Sequence, residues 1–355
     1  MKPLCLLGHH YCIVSLLLLV IQACTSTVQE VVTISVDLKK ITEVDIDKLP
    51  NLQTIIFDQT DVLLSGHGQA LWDDSMILVE DRDSVMAFDH QGKYLFVVAR
   101  KGRGRGEYNE VTSLFTDEEN IYIHSRSTML IFNHKGALIK EISLTSELQE
   151  DAPIKIYPAG SHRFIARKES DPALSLLDKD FSFMHQITGK NAVNFFIYDI
   201  GPQFSPYGDE LLFWDALCDT IFAVKDLEKI YPKYYVNFGE NSIPKSVRKK
   251  GTYEVLYFLY DMEDDADRYA TSLKDIHEGQ TYVTAFFWYK EGLLYVLKYD
   301  KQKKQAFTYK LIDSGTPLEF PFFYHLIHTQ GDKIMYYSGL GNDVKVLIID
   351  IEDLP

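Results

Sequence analysis

An internal repeat constrains this 355-residue chain more than any other feature. Phe88-Asp89-His90-Gln91-Gly92-Lys93-Tyr94-Leu95 aligns with Phe132-Asn133-His134-Lys135-Gly136-Ala137-Leu138-Ile139 at an offset of 44 residues. The second segment aligns with Leu177-Asp178-Lys179-Asp180-Phe181-Ser182-Phe183-Met184 at an offset of 45. Each copy reads as an apolar residue, an Asp or Asn, a polar turn and a second strand. Asp or Asn ahead of Gly is hairpin chemistry. Weaker copies occur at Val224-Lys225-Asp226 and Tyr299-Asp300-Lys301, and a last one at Ile349-Asp350-Ile351. A strand-like run precedes each copy: Met76–Glu80, Asn120–His124, Arg163–Lys168, Glu210–Trp214, Tyr282–Trp288 and Lys333–Ser338. The first four runs start 43–47 residues apart, and the fifth starts 72 residues after the fourth. Repeats of about 40–50 residues holding several strands are the sequence sign of β-propeller blades. The expected fold is therefore an all-β, six-bladed β-propeller. The 22 Tyr, 21 Phe and 3 Trp favour strands as well.

The last repeat ends at the C-terminus without an outermost strand. The period-two segment Val31–Val36 is expected to supply it and close the ring, which protects an exposed edge. The 72-residue step implies an insertion between blades 4 and 5, read as mostly helical over Ser246–Ile276. Upstream, Lys2 precedes an apolar run from Cys12 to Ile21, too short to span a bilayer and of the right length for a signal peptide. It ends Ile21-Gln22-Ala23-Cys24, which resembles a bacterial lipobox. The expected organisation is a signal peptide over 1–23, lipid attachment at Cys24, a tether over 24–30 and a propeller over 31–355. Removing residues 1–23 takes away Cys5 and Cys12. With Cys24 lipidated, no intramolecular disulfide is expected, and Cys218 reads as a small buried apolar residue.

Charge narrows the partners. There are 51 acidic and 36 basic residues, a net charge of −15. That balance argues against non-specific nucleic-acid binding and against a polybasic membrane anchor.

The chain resembles the six-bladed β-propeller lipoproteins common in the Bacteroidetes. Phe88–Lys93 followed by Gly102-Arg103-Gly104-Arg105-Gly106-Glu107-Tyr108 carries the resemblance. So does Asp219-Thr220-Ile221-Phe222 followed by Tyr234–Gly239 and Ile243-Pro244. The family usually has Gly-x-Gly-Pro-Gly-Glu-Tyr in the first stretch, and here Arg105 stands in place of Pro. The resemblance runs from about residue 30 to 355 and implies the fold, whereas fold does not fix function.

Gly102–Tyr108 has two readings. As a ligand site, Arg103 and Arg105 offer bidentate donors to a carboxylate or sulfate and Tyr108 a stacking platform, with Glu107 beside them. As structure, the glycines make a tight crossover between blades that Glu107 and Tyr108 lock. The family's retention of Gly-Glu-Tyr favours the second. The stretch lacks the Lys-Ser/Thr ending of a phosphate loop. His90 and His134 occupy equivalent turn positions, which favours a turn role over metal binding. His325 and His328 sit in an apolar strand pattern. Asp261–Asp267 alternates acids like a calcium loop but has Ala266 where Gly is needed. No metal site and no cofactor is expected.

No Gly-x-Ser-x-Gly elbow or His-Glu-x-x-His motif occurs. The leading reading is an envelope-anchored, non-enzymatic lipoprotein, a monomeric ring that binds a glycan, peptide or protein partner. It would serve as accessory to an outer-membrane transporter in nutrient uptake. The alternative is a secreted hydrolase or lyase with its site at the channel mouth. Thr25–Glu30 shows no dense acidic cluster, which favours the periplasmic side of the outer membrane over the cell surface.

Overall fold

The computed structural model describes residues 30–66, 68–144, 153–160, 162–168, 174–187, 204–214, 218–248, 258, 268–290, 293–318, 327–330, 332–339 and 343–355. Three strands come first: β1 (Val32–Ser35), β2 (Ile41–Asp45) and β3 (Gln53–Ile56). Blade 1 is β4 (Gln69–Trp72), β5 (Ile77–Asp81), β6 (Ser84–Phe88) and β7 (Tyr94–Arg100). Blade 2 is β8 (Ser113–Thr116), β9 (Asn120–Ser125), β10 (Thr128–Asn133) and β11 (Leu138–Ser143). Blade 3 is β12 (Pro153–Pro158), β13 (Phe164–Lys168), β14 (Leu174–Leu177) and β15 (Phe183–Ile187). Blade 4 is β16 (Phe204–Tyr207), β17 (Glu210–Phe213), β18 (Thr220–Lys225) and β19 (Lys229–Asn237), after which comes a short helix, α1 (Lys245–Arg248). Blade 5 is β20 (Thr271–Glu278), β21 (Tyr282–Tyr289), β22 (Leu293–Asp300) and β23 (Gln305–Asp313), with β24 (Thr316–Pro317) paired to β23. Blade 6 is β25 (Ile327–Gln330), β26 (Lys333–Ser338) and β27 (Lys345–Asp350). The fold is the expected six-bladed propeller.

The repeated turn works through one side chain. Asp89 Oδ1 accepts from the N–H groups of Gln91 and Lys93, each at 2.9 Å. Asn133 does the same for Lys135 and Ala137, and Asp178 for Asp180 and Ser182. Gly92 and Gly136 carry the positive φ that such a turn needs, 84° and 77°. The histidines are turn residues, as expected. His90 Nε2 lies 2.8 Å from the Asp73 carbonyl, and His134 Nε2 lies 3.0 Å from that of Asp117. A carbonyl only accepts, so both Nε2 atoms carry the proton.

Antiparallel order fixes two faces. Turns joining first to second and third to fourth strands share one, called here the lower face. Turns joining second to third strands, and the crossovers between blades, share the upper face. Apolar residues fill each seam between neighbouring blades. Ile77, Val79 and Met86 meet Met335, Tyr337 and Ile348 between blades 1 and 6. Leu78, Val85 and Ala87 meet Ile121, Ile123 and Leu130 between blades 1 and 2.

The N-terminus departs from expectation. Val31–Val36 does not close the ring: its strand β1 adds in parallel to β19 of blade 4, with Ile34 opposite Val236. β2 adds in parallel to β23 of blade 5. Closure falls to β3, which pairs antiparallel with β27. The first 27 described residues thus run along the outer edges of blades 4, 5 and 6 in turn. The insertion differs at its C-terminal end. Helix α1 covers four residues, and the end of the expected helical segment is strand β20. Most of 249–267, with the Asp261–Asp267 acids, lies outside the described residues, as do His325 and residues 1–29 with Cys24. Cys218 is buried, as read.

Asp81 locks the closure. Its carboxylate is 1% exposed. It accepts from Ser65 N–H, Ser65 Oγ (2.6 Å), Gly66 N–H (3.0 Å) and Tyr337 Oη (2.6 Å). It therefore joins blade 1, blade 6 and the crossover that leaves β3. Asp81→Ala should destabilise the chain by about 3 kcal/mol or more, and Tyr337→Phe by about 1.5–3 kcal/mol, because bonds to a buried charge are the strong ones. Denaturant unfolding checks both, and a loss below about 1 kcal/mol for Asp81→Ala contradicts the lock.

Candidate functional site

The crossover from β7 to β8 contains Gly102–Tyr108. Its ends are clamped by backbone bonds: Gly102 N–H to the Tyr108 carbonyl at 2.8 Å and Tyr108 N–H to the Arg100 carbonyl at 3.1 Å. Inside the loop, Glu107 folds back and accepts from Gly104 N–H at 2.7 Å. A Cβ at residue 102 would lie 2.0 Å from Glu107 Oε2, so a side chain there would push this carboxylate aside. Gly106 has φ +76° and donates its N–H to Glu141 of blade 2 at 3.2 Å. The loop's N–H groups are thus turned on two carboxylates, its own Glu107 and Glu141 of blade 2.

This geometry separates the residues singled out from the sequence. Arg103 and Arg105 are exposed and form no ion pair among the described residues. Glu107 is the internal lock. Tyr108 is 2% exposed and packs with Val98, Ala99 and Leu130 in the seam between blades 1 and 2. Its ring offers no face for a ligand to stack on. Its hydroxyl is buried and has no hydrogen-bond partner among the described residues. Burial, with the charges of Glu80, Asp83 and Asp81, pushes that phenol well above its ordinary range. Glu80 shares the seam's upper end: burial and the Asp81 charge push its carboxyl up to about 7.

Buried ionisable groups continue around the ring. His124 donates Nε2–H to the Arg126 carbonyl (2.7 Å), with Thr112 Oγ1 2.8 Å from Nδ1. Burial lowers it to about 4, so it stays neutral. Lys155, on the innermost strand of blade 3, donates to the Thr112 carbonyl. Asp275, on the innermost strand of blade 5, is pushed up to about 7 by burial, against the pull of Lys274 and Lys155. Between blades 4 and 5, Lys233 lies 2.7 Å from both Glu210 and Glu278, and Lys301 lies 3.3 Å from Glu278. Tyr234 Oη donates to Glu278 at 2.7 Å. Burial raises Glu210, but the Lys233 and Tyr231 bonds outweigh it and leave the carboxyl below its usual value. These two acids and two ammonium groups clamp blade 4 to blade 5 and compensate one another.

Sequence reasoning missed Trp72 at the end of β4. Its indole stacks on His90 with centroids 4.3 Å apart and planes 1° from parallel. The signal was available: Trp72 immediately precedes the turn that His90 binds. Among the described residues no group of three or more His, Cys, Asp or Glu could hold a metal ion. No described helix is long and apolar enough to cross a membrane.

The sequence matches the family described as a domain of unknown function (DUF4934) over residues 57–343. No curated protein matches it. Among solved structures, a Bacteroides fragilis protein named for its inferred export superposes with a TM-score of 0.65 at 16% identity, covering 90% of this chain and 98% of that one. A DUF4221 family member from Bacteroides vulgatus gives 0.52 at 12% identity, covering 88% and 99%. A Bacteroides thetaiotaomicron protein of unknown function gives 0.51 at 10% identity, covering 87% and 75%. These likenesses show the fold.

Glu80 and His124 make opposite contributions to stability against pH. Folding raises Glu80 from its ordinary 4.5 to about 7, so the folded state binds the extra proton and stability falls as pH rises through that window. Folding lowers His124 from 6.5 to about 4, so stability rises with pH across that one. Glu80→Gln should remove the first slope and leave a steeper gain between pH 4.5 and 6.5, read from unfolding midpoints. An unchanged profile contradicts the assignment.

Proposed function

The chain belongs to the family described as a domain of unknown function (DUF4934), and from that premise we propose that it is an exported, non-enzymatic binding protein of the cell envelope. A lipid on Cys24 holds it to the outer membrane on the periplasmic side. The ring presents loops to a partner bearing carboxylate or sulfate groups, on an acidic glycan, a peptide or an outer-membrane transporter.

One observation carries this reading. Arg103 and Arg105 project from a loop fastened at both ends and filled by its own Glu107 carboxylate. Two planar guanidinium donors on a pre-ordered backbone can engage a ligand without the cost of ordering the loop itself. The export designation of the Bacteroides fragilis fold relative supports the location, as does the lipobox-like Ala23-Cys24. Glu107 and Tyr108 serve by shaping the loop.

Replacing both Arg103 and Arg105 by Ala should weaken capture of a sulfated or carboxylated ligand by about tenfold or more, with the salt dependence reduced. Titration of acidic glycan and peptide panels reads this, and equal affinity in the double variant overturns the site. Cys24→Ala should release the protein from membranes and abolish incorporation of labelled fatty acid. Retention with label contradicts the anchor.

A further inference from the structure

On the lower face, the seam between blades 6 and 1 ends in a cavity of about 220 Å³ lined by Gln53, Trp72, Lys333, Met335 and Ile348. Strand register explains its floor. Gln53 lies opposite Ile348, and Ile348 opposite Met335, so the three form one row across blade 6. Met335 and Ile348 are buried among the apolar residues of the seam. Trp72 supplies a wall from blade 1. Its indole is held by the parallel stack on His90, whose own ring is fixed by the bond to the Asp73 carbonyl. Gln53 and Lys333 are exposed at the rim.

We propose that this cavity binds a single pyranose ring. A sugar ring has one apolar C–H face and an edge of hydroxyls. A fixed indole over an aliphatic floor matches the face. The Gln53 amide offers both donors and an acceptor, and the Lys333 ammonium three donors, a set that matches neighbouring hydroxyls. The volume is below the roughly 300–1,000 Å³ of sites for drug-sized ligands, which limits occupancy to one ring. The site lies on the face away from the Gly102–Tyr108 crossover and does not depend on Arg103 and Arg105.

Three tryptophans give three indole N–H signals in a nitrogen–proton NMR spectrum of the full chain, and Trp72→Phe identifies one of them. The probes are glucose, galactose and N-acetylglucosamine, with the open-chain polyol mannitol as control. The expected result is a saturable, millimolar shift of the Trp72 signal with at least one pyranose and none with mannitol, while Trp214 and Trp288 stay still. Gln53→Ala, at an exposed strand position, should weaken that binding about fivefold through one lost hydrogen bond. Replacing Arg103 and Arg105 should leave it unchanged, which separates this site from the acidic-ligand reading. No shift with any pyranose, an equal shift with mannitol, or undiminished binding in Gln53→Ala overturns the proposal.

Discussion

Ring closure depends on a short ladder: four residues of β3 paired with four of β27. A propeller joins its last blade to its first through such pairing, and here no covalent link assists it among the described residues. The ladder is reinforced where it ends. Phe57 N–H reaches the Val344 carbonyl at 3.1 Å, and Asp58 N–H reaches Gly92 of blade 1 at 2.8 Å. The crossover then runs into the buried Asp81 carboxylate, which Tyr337 of blade 6 also contacts. A buried carboxylate stays charged only where donors surround it, so Asp81 specifies this seam as well as stabilising it.

The same N-terminal segment addresses a second constraint, the exposed outer edge of every blade. β1 covers blade 4 and β2 covers blade 5. Among the described residues, blades 1, 2 and 3 receive no added strand, and each outer strand there carries a bulge at one repeat position. The register skips Leu95 in β7, Ile139 in β11 and Met184 in β15. A bulge twists an edge away from further pairing, and these side chains are accordingly exposed, at 42%, 57% and 49%. Two devices, a strap on blades 4 and 5 and a bulge at one repeat position on blades 1 to 3, thus serve five of the six outer edges.

Much of this was legible in the sequence because the Asp/Asn turn acts through local bonds. Asp89, Asn133 and Asp178 each bind two N–H groups within four residues, so turn and spacing appear directly in the chain. The closing strand was not legible. Val32–Ser35 and Gln53–Ile56 are both short strands, and only the ring's geometry decides which meets β27. Strand β20 was hidden for a different reason: Leu273, Lys274, Asp275 and Ile276 are all buried, so no alternation marks it. In the crossover, the glycines and Glu107 were legible as a lock, whereas the burial of Tyr108 depends on packing between blades. The Trp72–His90 pair was legible from its local spacing, whereas the cavity it lines was not, because Gln53, Lys333, Met335 and Ile348 come from β3, β26 and β27, remote in sequence.

Function then rests on what a closed ring can hold still. Arg103 and Arg105 stand on a crossover fastened between blades 1 and 2, and Trp72 lines the closure seam itself. The most direct measurement compares thermal unfolding of two shortened chains, one beginning at residue 46 and lacking β1 and β2, the other beginning at residue 57 and lacking β3 as well. If β3 closes the ring, the first unfolds in one cooperative transition at a lowered midpoint and the second has no such transition. A second chain that unfolds cooperatively at the midpoint of the first would contradict the account.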